Sequence, residues 1–377
     1  MPTDKKKILF VYSHTGSGHI VSAQAIEQSI RLQYPYKCEF EYLDFVGESS
    51  KFWSIFEYGY TPMIKYAPYT WAFLYKVLTP SFNLMLLEKS AEPFISRKLK
   101  DRIDSIDPDI IVSVHPLANQ LITGILRKRL KKIPFAVVVT DPVTFHKSWL
   151  CCDRFSNIGD QTTAAVVATE EAKVLAVKYG FPSDKLHRIG LPVRSEFYEE
   201  VLNVRSDDRM NVLFMGGGDG TGKILNIIKE LCIRGYSGKV TMLCGKNKKL
   251  KTRLDEMSKG WPAAEVEAVG FTNDVKSYMD AAHLLVTKAG PGTIAEAVLR
   301  ELPMIIYYWI PGQEVGNAEF VKQKGIGEVI KNTSLIVDRI FQLQRNPEHL
   351  NAFKKNIRQL QDYSATTEIA HKILSLV

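Results

Sequence analysis

Along the chain, short runs of aliphatic and β-branched residues alternate with longer stretches whose apolar positions recur every three to four residues. The first run, Lys7-Ile-Leu-Phe-Val-Tyr12, leads through Gly16-Ser-Gly-His19 into a helical pattern over 22–32. About half a chain later the sequence of events repeats. Asn211-Val-Leu-Phe-Met215 leads through Gly216-Gly-Gly-Asp-Gly220 into a helical pattern over 223–234. Each reads as the opening strand–loop–helix unit of a doubly wound domain.

Further buried-strand runs follow each opening. They fall at 39–43, 110–114, 135–139, 165–168 and 187–189 in the first half, and at 240–244, 265–269, 284–286 and 304–308 in the second. Helical patterns separate many of them, at 91–103, 117–130, 170–178, 249–256, 275–281, 294–300 and 318–324. That alternation predicts an α/β architecture of parallel sheets covered by helices on both faces. Two Rossmann-like, doubly wound domains are expected, facing a central cleft at the carboxyl ends of their strands. The stretch 190–210, with Leu191-Pro192 and Arg205-Ser-Asp-Asp-Arg209, reads as the hinge. The domains are then 1–197 and 205–355. The periodic end, 350–376, provides a C-terminal segment, 356–377, expected to cross back over the first domain.

The 377 residues are enough for two cores, and 45% apolar with 24% charged residues excludes extensive disorder. Lys and Arg number 49 against 41 Asp and Glu, a net +8. The excess clusters at 5–7, 97–102, 127–132 and 246–253. Each cluster is either an anion-facing surface or a solvated helix face. No nucleic-acid module accompanies them, so nucleic acid is not an expected partner. Cysteines 38, 151, 152, 232 and 244 form neither a C-x-x-C pair nor a zinc spacing, and their odd number points to a reducing compartment. The N-terminus runs straight into a strand, with no apolar signal-peptide core. No uncharged apolar run reaches the roughly 18–20 residues that a membrane span needs. The expected location is therefore cytoplasmic, with any membrane contact peripheral, at the inner face of the cell membrane.

Candidate chemistry concentrates in 283–317. A strand at 284–286 runs into Lys288-Ala-Gly-Pro-Gly-Thr293, and a helix starts near Thr293. Gly290 and Gly292 lack Cβ, so either a ligand approaches the backbone there or the chain merely turns tightly. With Pro291 and Thr293 they precede a helix start whose N–H groups and dipole favour a phosphate. Lys288 adds a charge. Glu296, one turn on, suits two ribose hydroxyls. Gln313, Glu314 and Asn317, after the next strand, offer amides and a carboxylate to sugar hydroxyls. Together these groups in one window are far more specific than a lone glycine turn.

At these residues the chain resembles the diacylglycerol glycosyltransferases, that is, monogalactosyldiacylglycerol synthases and processive bacterial diacylglycerol glucosyltransferases of glycosyltransferase family 28. The resemblance spans nearly the whole chain. It includes Gly16-Ser-Gly-His-Ile-Val-Ser-Ala23, Thr140-Asp-Pro-Val-Thr-Phe-His-Lys-Ser-Trp149 and Gly190-Leu-Pro-Val-Arg194. Ser17 replaces a glycine common in the plant enzymes, and Ile20 stands where an arginine is frequent. The resemblance implies a GT-B fold. It also implies a uridine diphosphate on Gly216, Gly217, Gly218, the Gly270-Phe271 turn and 290–293, with Glu296 on the ribose. It further implies a transfer that inverts the anomeric centre without a metal or other cofactor, from UDP-galactose or UDP-glucose to diacylglycerol.

Such displacement needs a base for the acceptor hydroxyl. His19, on the glycine loop after the first strand, is the candidate, since an imidazole titrates near neutrality. Its alternative is a plain hydrogen bond to a backbone carbonyl. Asp141 and His146, on the loop after 135–139, are second catalytic candidates, either one able to orient His19 or the acceptor. No histidine–carboxylate set has metal-ligand spacing. The stretch 51–87 is rich in aromatics with lysines interspersed, which suits either a bilayer interface or an ordinary helix pair. With the lipid resemblance, Gly16, Gly18, Trp53, Trp71 and Trp149 become acceptor- or membrane-side candidates, beside an anionic membrane. Other acceptors remain open: a polyprenyl-linked precursor receiving N-acetylglucosamine from its UDP-sugar, or none at all in a non-catalytic UDP-sugar sensor.

Overall fold

In the strand Lys6–Tyr12 (β1), successive side chains point to opposite faces, and both faces are buried. Leu9 and Val11 enter one core with Leu99, Ile103, Ile122 and Ile125, while Ile8 and Phe10 enter another with Ile26, Ile30, Ile369 and Ile373. A strand covered on both sides cannot show polar alternation, which is why it reads as an unbroken apolar run. The computed structural model describes residues 5–14, 18–48, 59, 62–64, 66–79, 81–200, 209–216 and 222–377. Gly16, Trp53, Gly217 and Gly218 lie outside the described residues, as does much of 51–65.

The chain divides into two units. The first comprises Met1–Ser195, Ile310–Gln313 and Tyr363–Val377, and the second Glu196–Trp309 and Glu314–Asp362. In the first, β1 is followed by β2 (Cys38–Asp44), β3 (Ile110–Ser113), β4 (Phe135–Val138), a two-residue hairpin β5 (Cys152–Asp153) and β6 (Ser156–Asn157), β7 (Ala164–Val167) and β8 (Leu186–Arg188). The main sheet is parallel, in the order β2-β1-β3-β4-β7-β8. Its winding reverses between β1 and β3. The helix Ala365–Leu374 contributes Ile369, Ala370 and Ile373 to the core beneath the helix Gly18–Gln33.

The second unit contains β9 (Asn211–Met215), β10 (Lys239–Leu243), β11 (Glu265–Val269), β12 (Leu284–Lys288), β13 (Met304–Tyr308) and β14 (Gly327–Val329), ordered β11-β10-β9-β12-β13-β14 and parallel throughout. Counted within the unit this is the 3-2-1-4-5-6 order of a dinucleotide-binding sheet, with its switch point between β9 and β12. The two doubly wound sheets agree with the sequence reading. Helices Pro68–Leu78 and Ser81–Ile106 fill a stretch where only 91–103 carried a helical signal. The periodic end is two helices, Glu348–Arg358 and Ala365–Leu374. No described helix is long and apolar enough to cross a membrane.

One cation anchors the entry to the second unit. Arg300 is fully buried. It donates to Asp280 at 2.6 Å and to the carbonyls of Phe197, Glu199 and Glu200 at 3.2, 2.6 and 3.2 Å. A buried charge is tolerated only when its hydrogen bonds are met in this way. Arg300→Met strips donors from three carbonyls and leaves Asp280 with Lys276 at 3.2 Å. The expected loss is about 3 kcal/mol, the low end for a broken buried pair because Lys276 remains. It is read as a lower denaturation midpoint for the second unit.

Candidate active site

The loops after β9 and β12 flank the second unit's switch point. β12 ends on Lys288, and the chain turns through Ala289 and Gly290 into the helix Pro291–Leu299. Gly290 is the N-cap and no side chain caps this helix, whereas Asn247, Asp274 and Asn332 cap others in the unit. The first-turn N–H groups lack intrahelical acceptors and so favour an anion. A Cβ on Gly292 would meet nothing within 4 Å, so the space beside it is open. A Cβ on Gly290 would crowd Lys288 Nζ at 3.3 Å. Thr293 and the buried Glu296 follow on the same helix, and Gly216 lies buried just after β9.

Three groups expected to face a ligand also make contacts within the protein. Lys288 Nζ meets Glu314 Oε1 at 2.5 Å, with the Glu314 side chain only 5% exposed. Burial makes the carboxylate depend on that ammonium, so Lys288 is not an unpaired charge awaiting a diphosphate. Asn317 is 1% exposed, and its Nδ2 donates to the Ala289 carbonyl at 3.0 Å. It braces the loop rather than presenting that amide outward, and its buried Oδ1 has no hydrogen-bond partner. Gln313 is half-buried on the turn after β13, where Gly312 has a φ of +84°. Phe271, after β11, is exposed with the Lys246 ammonium 5.8 Å from its ring centroid.

In the first unit the switch point lies between β1 and β3, and His19 sits there, second in the helix that starts at Gly18. His19 Nδ1 is 2.7 Å from the Val114 carbonyl and 3.2 Å from Thr140 Oγ1. A carbonyl only accepts, so Nδ1 carries the proton and neutral His19 keeps its lone pair on Nε2. The ring meets His115 edge-on at 4.7 Å and lies 6.2 Å from the Trp149 ring. Burial pushes the His19 imidazole down to about 4, and the Val114 hydrogen bond opposes this only in part. The expectation of titration near neutrality is thereby corrected: burial holds His19 below the ordinary imidazole range, and the neutral form dominates near pH 7.

His19 takes its orientation from a backbone carbonyl rather than from Asp141 or His146. Asp141 accepts from Trp149 Nε1 at 2.8 Å. Trp149 is 0% exposed and therefore a core residue beside His19, not a membrane-facing one. His146 accepts from the Ser148 backbone N–H at 3.2 Å and packs on Tyr75 with ring centroids 4.9 Å apart. Burial pushes it down to about 4, against the Tyr75 and Leu78 carbonyls. Sequence reasoning missed His115, Thr140 and a trio at the β1–β2 end, where His14 Nε2 lies 3.3 Å from Tyr12 Oη and 3.9 Å from Asp44. Apart from Tyr12 and His14, two residues apart, these partners are brought in by topology. Among the described residues no group of His, Cys, Asp or Glu could hold a metal ion.

The helix Pro68–Leu78 buries none of its side chains. Tyr69, Phe73 and Val77, spaced by four, share one face with Tyr66 just before it, and the four are 81%, 65%, 39% and 77% exposed. Trp71 is half-buried against Tyr75. Several residues of the basic clusters are already paired: Lys5 with Glu39, Lys6 with Asp109, Arg102 with Glu41 and Glu48, Arg129 with Asp104, and Lys131 with Asp107.

Among solved structures, the chain shares the GT-B fold. Acinetobacter baumannii MurG gives a TM-score of 0.66 at 14% identity, over 98% of this chain and 99% of that one. Anabaena HepE in complex with UDP-glucose gives 0.57 at 13%, over 98% and 100%. The sequence model of the glycosyltransferase family 28 C-terminal domain matches residues 211–371, so the protein is a glycosyltransferase. The model of monogalactosyldiacylglycerol synthase matches residues 19–193. A probable chloroplastic monogalactosyldiacylglycerol synthase of Nicotiana tabacum is 32% identical over 99% of this chain and 71% of its own length. The chloroplastic Spinacia oleracea enzyme is 31% identical over 100% and 73%. The chain belongs to the monogalactosyldiacylglycerol synthase family.

The histidine environments set a pH dependence. His19 and His146 fall to about 4 in the folded chain, and His115 well below its usual value, all chiefly through burial. Their unfolded imidazoles titrate near 6.5. The unfolded chain therefore binds more protons below that value, and stability present above pH 6.5 is lost as the pH falls towards 4. Thermal melts of the protein from pH 7.5 to 4.5 should show a falling Tm, and His19→Asn should flatten part of the slope.

Proposed function

We propose that the protein transfers a hexose, galactose or glucose, from a UDP-sugar to the hydroxyl of 1,2-diacylglycerol. The anomeric centre inverts, and no metal is used. The observation that carries the donor half is the helix Pro291–Leu299, whose N-terminus opens without a side-chain cap at the switch point between β9 and β12. A diphosphate fits there against backbone N–H groups. Glu296 then serves the ribose, and Gln313 and the loop braced by Asn317 serve the sugar. The relatives' names, monogalactosyldiacylglycerol synthases, support a lipid acceptor. The likeness to MurG, at 14% identity, favours no polyprenyl acceptor.

In this reading His19 Nε2 takes the acceptor proton as the hydroxyl oxygen bonds to the anomeric carbon and the bond to the diphosphate breaks. The Val114 carbonyl holds the ring in the tautomer that this step needs. With labelled UDP-hexoses and diacylglycerol vesicles, the expected product is a β-glycosyl lipid, formed equally in the presence of a chelator. No glycolipid from any common donor overturns the reading. His19→Ala should lower kcat by about 10²–10⁴-fold, the usual worth of a general base, with UDP affinity unchanged.

The exposed face of Tyr66, Tyr69, Phe73 and Val77 is the proposed contact with the membrane that holds the acceptor. Tyr69→Asp combined with Phe73→Asp should weaken binding to anionic diacylglycerol vesicles about tenfold or more, from the burial that two aromatics forfeit. Turnover of a water-soluble short-chain acceptor should persist. Undiminished vesicle pelleting by the double variant would remove this face from the proposal.

A further inference from the structure

The donor end carries a second cation. Lys223 is the second residue of the helix Gly222–Ile233, which follows β9 and the glycine run 216–220. Its ammonium lies 5.5 Å from the centroid of the Tyr308 ring. Tyr308 ends β13, and β12 lies between β9 and β13 in the sheet. The Lys223 side chain therefore reaches from the β9 side of the switch point across the carboxyl end of β12. Lys288 sits at that end, in register with Tyr308, but Glu314 takes up its charge at 2.5 Å. Lys223 is exposed, and among the described residues it forms no ion pair. An aromatic face holds an ammonium in place without neutralising it.

A nucleoside diphosphate brings about two negative charges, and the terminal phosphate gains more as the bond to the sugar breaks. A helix N-terminus offers only about half a positive charge. With Lys288 compensated, the site needs a cation from elsewhere. We propose that Lys223, and not Lys288, is the positive group that compensates the donor diphosphate, with Tyr308 as the shelf that positions it. The proposal rests on the UDP-sugar reading above. It deepens that reading by dividing the two lysines: Lys288 holds the loop through Glu314, and Lys223 meets the ligand.

The test is calorimetric titration of UDP and of uridine, at two salt concentrations, on wild type, Lys223→Ala, Lys223→Arg and Lys288→Met. Lys223 is exposed, so its removal should leave the fold intact. Lys223→Ala should bind UDP about tenfold more weakly or worse, as expected for a lost charged contact, and bind uridine as wild type does. The salt dependence of UDP binding should shrink with it. Lys223→Arg should stay close to wild type. Lys288→Met should weaken UDP and uridine together, because it strands Glu314 and loosens the whole loop. UDP binding that survives Lys223→Ala unchanged overturns the proposal, as does a loss confined to UDP in Lys288→Met. Wild type that binds no UDP overturns the donor reading itself and this inference with it.

Discussion

Parallel strands covered on both faces leave the chain only its strand ends for chemistry. Away from the edge strands the polar groups gather there, and the loops at those ends must be held by few contacts. In the second unit one short ion pair does most of the holding. Lys288 ends a strand, Glu314 begins a helix, and the pairing fixes the path of the intervening chain from both sides. Asn317, from the same helix, then secures the Ala289 carbonyl. Under the proposed function this loop meets the ligand through its backbone N–H groups, and Lys288, Glu314 and Asn317 serve chiefly to aim them. In the first unit a carbonyl just past the end of β3 plays the corresponding part for His19.

That choice of partner sets the electrostatics of the candidate base. A carboxylate behind an imidazole would raise its proton affinity and let it titrate near neutral pH. A carbonyl fixes the tautomer and adds little charge, so burial wins and the ring stays unprotonated. Near neutral pH the base form dominates, at the cost of a weaker pull on the proton. Under the proposed function, much of the driving force must come from the growing acidity of the acceptor oxygen as its new bond forms.

The fold was legible where physics is local. Doubly buried strands announce themselves as apolar runs, and the principal strands of both sheets stand within a few residues of where periodicity puts them. What escaped was short or mixed. β14 is three residues, Gly-Glu-Val, with one fully buried, too little to stand out from a loop. The helix Pro68–Leu78 has aromatics on nearly every side and so lacks an apolar stripe to read. The periodic end ran through the break at 359–364 because both flanking helices share the same period. In the donor window, composition picked out residues that the fold gathers around the loop after β12, but not the contacts among them. Lys288 and Glu314 are 26 positions apart and seemed to serve different parts of a ligand, yet they serve each other. His19 is 95 residues from its carbonyl and 121 from Thr140, distances over which no spacing rule operates.

Gly292 is a glycine that the fold does not need. Its φ is not in the left-handed region, and an added methyl would project into empty space. Packing therefore exerts no pull on its identity, unlike Gly327, where a Cβ would strike the Met304 carbonyl at 2.1 Å. A side chain at 292 could fill the space beside the helix start while leaving every core contact in place. Under the proposed function, folding and ligand occupancy are separable at this position, and selection for stability alone would let it drift. A duplicate of the gene has there a one-step route to a well-folded protein with a plugged site.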